Sequence, residues 1–200
     1  MSSPLHNPST DICLGQSSTL IREEFSPAER ALLLRLAHEA IESALDRRDI
    51  SMEPPSAHLA QPRGVFTTLY LGGHLRGCVG YVFPVESLYR GVIETARAAA
   101  SEDTRFRPVT RQEAPHLKVS LSVLSTLSPI EPEQVEIGRH GLVVSLAGHR
   151  GLLLPQVPVE HEWDRMIFLA QTCRKAGLPE DAWKRGATLE AFTAEVFGEI

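Results

Sequence analysis

The sequence is short of cysteine and has no long apolar run. Only three of its 200 residues are cysteine, Cys13, Cys78 and Cys173, an odd number at wide spacing. That spacing is no disulfide framework and fits a reducing compartment, so a cytoplasmic location is expected. No stretch approaches the roughly 18 apolar residues needed to span a bilayer. The opening twenty residues have neither a basic start nor an apolar centre, so no secretory signal is expected. Positive charge is scarce too: 20 Lys and Arg stand against 25 Asp and Glu, a net charge of −5. Nucleic-acid binders usually carry a basic footprint, so that class has the least support. Common catalytic signatures are also missing. There is no phosphate loop, no dinucleotide fingerprint and no Gly-x-Ser-x-Gly elbow. Without Cys-x-x-Cys or His-x-x-x-His no metal site is expected, and no cofactor is predicted.

What is present is ordinary globular material. Hydrophobic residues make up 42% and charged residues 22%. A chain of this length can bury roughly 70% of its unfolded surface and needs no covalent staple. Residues 1–24, rich in Ser, Thr and Pro, read as a flexible arm before a single domain over 25–200. Order starts at a capping box, Ser26 with Glu29, with Pro27 at the first helical position. Leu33, Leu36, Ala37, Ala40, Ile41, Ala44 and Leu45 then recur at helical spacing, predicting a helix that ends near Arg48.

A hairpin is predicted next, Val65–Leu71 and His74–Tyr81 around Gly72-Gly73, a pair suited to a primed two-residue turn. A helix is expected over 86–101. Asp103–Pro108 reads as a charged loop with one aromatic, either a site for an anion or a partner or a solvated loop with Phe106 as its anchor in the core. Thr110 and Glu113 suggest a second capping box on a very short helix that stops before Pro115. Leu117, Val119, Leu121 and Val123 alternate with polar residues, a half-buried strand. Two more strands flank Ala147-Gly148-His149. A helix over 160–176 should turn Trp163, Ile167 and Ala170 inward. Residues 188–197 alternate as one further strand. Because strands come in hairpins, the expected fold is α+β, a mainly antiparallel sheet flanked by helices.

The segment Leu75-Arg76-Gly77-Cys78-Val79-Gly80 carries the most chemistry. A regular hairpin would pair Leu71 with His74, Leu69 with Arg76 and Thr67 with Cys78, and put His74, Arg76 and Cys78 on one face. Glycines inside a strand often mark a bulge or a close approach. A cation beside a thiol favours thiolate, so Cys78 has the parts of a nucleophile. Free cysteine also fills cores, and both readings stay open. His74 and Cys78, roughly 13 Å apart along a strand, cannot share one metal ion. His140, between Arg139 and Gly141, is a candidate acid or base, or a turn histidine without a role. Gln156 is a candidate ligand contact, or serves its own loop. Cys173, beside Arg174 and Lys175 in the last turn of a helix, reads as structural, because a helix C-terminus disfavours thiolate.

Five segments occur in order: residues 75–80, 103–106 (Asp-Thr-Arg-Phe), 137–142 (Ile-Gly-Arg-His-Gly-Leu), 151–157 (Gly-Leu-Leu-Leu-Pro-Gln-Val) and 172–178 (Thr-Cys-Arg-Lys-Ala-Gly-Leu). Together they resemble the AMMECR domain family, called protein A of the AmmeMemoRadiSam system in prokaryotes. Val79 stands where the family usually has isoleucine, and Tyr81 where threonine is common. The resemblance implies a larger and a smaller lobe, with a cleft lined by the Arg-Gly-Cys segment. It also implies companions, a radical S-adenosylmethionine protein and a Memo-like protein, but supplies no reaction.

On this reading the chain is an enzyme or enzyme component, with Cys78 as nucleophile or carrier and His140 as base. Arg76, Gly77, Asp103, Arg105 and Gln156 would contact an unknown small molecule. The alternative is a non-catalytic interaction module that docks through the Arg76 and Arg105 region. The five segments are expected to converge in space, since loops on a rigid scaffold carry function.

Overall fold

The computed structural model describes residues 24–199, so the expected arm lies outside the described residues apart from Glu24. Glu24 is tied down: its N–H donates to Glu195 at 2.7 Å, and its carboxylate pairs with Arg63. Helix α1 (Pro27–Asp46) starts as the sequence demands. Ser26 accepts from the Glu29 N–H while the Glu29 carboxylate accepts from the Ser26 N–H. Two of the orphan donors of the first turn are thereby satisfied.

Strand β1 (Val65–Leu71) and strand β2 (His74–Tyr81) form the predicted hairpin. Gly72 and Gly73 both have positive φ, 57° and 82°, as a type I′ turn requires. Helix α2 (Leu88–Ser101), capped by Ser87, follows. Strand β3 (Leu117–Leu124) comes next, then the two-residue β4 (Ser128–Pro129). Strands β5 (Gly141–Leu146) and β6 (His149–Leu153) make the second hairpin. The chain ends with α3 (Gln156–Glu160), α4 (Arg165–Lys175), β7 (Thr188–Phe192) and β8 (Ala194–Gly198).

The strands form two antiparallel four-stranded sheets, ordered β2-β1-β3-β8 and β4-β7-β5-β6. Helices α1 and α2 cover one face of the first sheet. Leu33, Ala37, Ile41, Val92, Ile93 and Ala96 bury there against Val65, Leu69, Val119 and Leu121. Each such Leu, Ile or Val side chain stabilises the lobe by roughly 1.5–3 kcal/mol relative to exposure. Helix α4 packs Phe168, Leu169 and Cys173 on Leu142 and Val144 of the second sheet. A third cluster joins the two lobes, with Leu124, Val143 and Phe192 at its centre and Phe66, Val82, Leu152 and Leu154 around them.

Several expectations are corrected. The strand expected over 188–197 is two strands, broken at Thr193, and β7 and β8 belong to different sheets. Alternation runs through the break, so the sequence pattern does not reveal it. The helix expected over 160–176 is the shorter α4, Arg165–Lys175; Glu160 instead ends α3, and Glu162 at φ 53° lies between the two. That break shifts the phase, so Phe168 is buried while Ile167 is 42% exposed. Phe106 is only half-buried, and Val109, 4% exposed, anchors its loop. The Thr110–Glu113 box forms, but Pro115 lies inside the short 3-10 turn Ala114–His116 and does not end a helix before it. Among the described residues, no helix is long and apolar enough to cross a membrane.

Candidate functional site

The register of the hairpin departs from the regular one at Arg76. Leu71 pairs with His74 and Tyr70 with Leu75, but Leu69 pairs with Gly77 and Thr68 with Cys78. Arg76 is therefore the extra residue of a β-bulge, which re-aims its side chain. The expected pairs Leu69 with Arg76 and Thr67 with Cys78 are replaced, and the simple alternation of His74, Arg76 and Cys78 on one face fails. Gly77 has a packing reason. A Cβ there would lie 2.2 Å from the Ala99 carbonyl oxygen of α2.

Arg76 is held by the loop that follows α2. Its Nε and Nη2 donate to Glu113 at 3.0 and 3.1 Å, its Nη1 to the Arg107 carbonyl at 2.8 Å and Nη2 to that of Pro108 at 3.3 Å. The Arg76 side chain, mainly, and the Thr110 N–H hold the Glu113 carboxyl down at about 2. The carboxylate that pairs with Arg76 is Glu113.

Asp103 instead braces Cys78. Its carboxylate accepts from the Cys78 N–H at 2.8 Å and from Arg105 Nε and Nη2 at 2.9 and 2.8 Å. Arg105 Nη2 also reaches the Cys78 carbonyl at 3.5 Å. Asp103 is held far below the ordinary carboxylate range, first by the Arg105 side chain and then by the Cys78 N–H. β2 is an edge strand, and this pair occupies the outward N–H and C=O of Cys78 as a neighbouring strand would. The thiol is half-buried and accepts a hydrogen bond from the Thr68 hydroxyl at 3.3 Å. Thr68 pairs in turn with Ser120, so Cys78, Thr68 and Ser120 make one row across the sheet.

The remaining segments gather in the smaller lobe. A Cβ on Gly138 would meet Val159 of α3 at 3.2 Å, so the 137–142 segment touches the helix that Gln156 opens. Gln156 itself is exposed. Gly151 lies against Ala176 with only 2.2 Å for a Cβ, which seats the 172–178 segment on β6. Cys173 is fully buried, and burial pushes its thiol up. His140 lines a recess with Ser125, at the end of β3. The Cys78 row crosses β3 at Ser120, five residues back, roughly 16 Å along the strand. Two groups result, residues 75–80 with 103–106 in one lobe and the other three segments in the second. No hydrogen bond joins Cys78 to His140 among the described residues. Nor do those residues place three or more His, Cys, Asp or Glu to hold a metal ion.

The sequence reading missed Thr68 and Glu113. Thr68 was hidden by the bulge. Glu113 was visible as a capping residue, but nothing local says that its carboxylate also serves Arg76.

Fold and site define a two-lobed α+β protein whose Arg-Gly-Cys edge strand is braced by the loop after α2. The sequence matches the AMMECR1 family model over residues 34–197, and the chain belongs to that family. It is 40% identical to Protein MK0488 of Methanopyrus kandleri, over 93% of this chain and 92% of that protein. It is 45% identical to a protein of Thermococcus gammatolerans, over 84% of this chain and 88% of that one. The crystal structure of the uncharacterized protein PH0010 from Pyrococcus horikoshii superposes with a TM-score of 0.65 at 40% identity, covering 84% of this chain and 90% of that one.

Proposed function

We propose that this chain is a protein-interaction module of the AMMECR1 family that docks through the surface formed by residues 74–78 and 103–107. The observation that carries this reading is the bonding of Arg76. Its guanidinium is committed to Glu113 and two backbone carbonyls, and so serves to fix the shape of the surface. The Asp103–Arg105 pair does the same for the Cys78 main chain. Around this frame His74, Arg105 and Arg107 are exposed, and Leu75 is 41% exposed. An exposed apolar side chain on a strand beside a loop that carries Arg105 and Arg107 suits a partner surface with an apolar knob among carboxylates. The companions are the two that the family resemblance implies, a radical S-adenosylmethionine protein and a Memo-like protein. The setting of action is the cytoplasm.

Co-purification with those two companions from the same genome tests the reading. Leu75→Asp and Arg107→Glu should each abolish the complex, while Cys78→Ser should leave it intact. Loss of binding in Cys78→Ser alone would overturn it. A second reading keeps Cys78 as a nucleophile or carrier. It draws on one observation, the Thr68 hydroxyl that donates to its sulfur, a contact that would stabilise thiolate.

A further inference from the structure

His140 sits in a recess of about 190 Å³ where the two lobes join. Two bonds hold the strands that cross there. The Thr193 N–H donates to Ser125 Oγ at 3.0 Å, and the Ser125 N–H donates to the Thr193 carbonyl at 2.9 Å. One bond is main chain to main chain and the other uses the Ser125 side chain, and together they fix the two segments that frame the recess. Ser125 Oγ also donates to the Thr126 carbonyl at 3.1 Å, so its hydroxyl is used within the frame.

The imidazole is oriented by its own loop. The Glu136 backbone N–H donates to His140 Nδ1 at 3.1 Å. Nδ1 is then the acceptor nitrogen, and in the neutral ring the proton lies on Nε2. Burial, and secondarily Arg139, pull the imidazole pKa down, which is the direction that keeps the ring neutral. This bonding does not suit a general base working through Nδ1, because that lone pair is already taken.

Thr126, Ser128 and Thr193, each with a hydroxyl, line the same recess together with the apolar Ile130 and Phe192. Among the described residues, neither these hydroxyls nor His140 Nε2 bonds to another protein group. No Lys, Arg, Asp or Glu lines the recess, so a ligand charge would have no partner there.

We propose that this recess binds a small neutral ligand carrying a carbonyl oxygen next to a short branched apolar group. The His140 Nε2–H donates to that oxygen, the hydroxyls bond the remaining polar atoms, and Ile130 and Phe192 hold the apolar part. An amide is the ligand class that uses all three. The proposal is independent of docking at residues 74–78, because the recess contains none of those residues.

Isobutyramide is a suitable probe, with isobutyrate as its charged counterpart. In protein with ¹⁵N-labelled histidine, NMR of the free form should show His140 as the Nε2–H tautomer. Isobutyramide should then shift the His140 ring and the Thr193 amide saturably, with a Kd on the order of millimolar, as expected for so small a ligand. His140→Phe should weaken binding about tenfold, the value of one hydrogen bond, and His140→Gln should retain most of it. If His140→Phe fails to fold, Thr193→Val supplies the comparison and should also weaken binding. An Nδ1–H tautomer, absence of saturable shifts, unchanged binding in His140→Phe or Thr193→Val, or tighter binding of isobutyrate would each overturn the proposal.

Discussion

Arg76→Leu is the substitution from which the bracing account has most to lose. The change removes two bonds to Glu113, at 3.0 and 3.1 Å, and two to backbone carbonyls, at 2.8 and 3.3 Å. The Arg76 side chain is 14% exposed and that of Glu113 26%, so water screens the pair only in part. Charge-assisted bonds contribute roughly 1.5–3 kcal/mol, and partial solvation sets the expected loss near the low end, about 2 kcal/mol. For a domain of this size that corresponds to a fall in Tm of roughly 4–8 °C at pH 7. The pH dependence follows from Glu113. Its folded pKa of about 2 lies below the ordinary 4.5. Its contribution is therefore fully present above 4.5 and lost as pH falls toward 2. The Tm gap between wild type and Arg76→Leu should be constant from pH 7 to about 5 and shrink between 4.5 and 2. Iodoacetamide labelling of Cys78, run beside thermal unfolding, should be as fast or faster in the variant, because the bracing loop loosens. An unchanged Tm with slowed alkylation near neutral pH would refute the account and restore Arg76 as an activator of the thiol.

Two further outcomes are expected. Asp103→Ala should speed hydrogen exchange of the Cys78 amide, since that N–H loses its 2.8 Å acceptor on an edge strand; unchanged protection, read by NMR, would count against the bracing. Gly77→Ala should lower stability by roughly 1–3 kcal/mol, because its Cβ would lie 2.2 Å from the rigid Ala99 carbonyl; a thermal unfolding curve matching wild type would contradict the packing.

The parts of the fold set by local chemistry were legible in the sequence. The Ser26–Glu29 box and the Gly72-Gly73 turn need only neighbouring residues, and both appear where the residues put them. The parts set by tertiary contact were not. The bulge at Arg76 follows from Glu113 and the Arg107 and Pro108 carbonyls, which reach it from more than thirty positions away. The break at Thr193 depends on Ser125, across the lobe junction, and leaves no mark on the alternation of residues 188–197. Of the site, the elements were readable and their grouping was not. Residues 75–80 and 103–106 do meet, but His140 goes to a recess that contains none of them. Spacing along the chain holds no information about which lobe a segment joins.

The central claim is that residues 74–78 and 103–107 form a docking surface. Hydrogen–deuterium exchange of the protein with and without its radical S-adenosylmethionine and Memo-like companions tests it most directly. The account predicts new protection of the backbone amides in those two segments when a companion is added. Protection confined to other regions, or none at either segment in a complex shown to have formed, would contradict it.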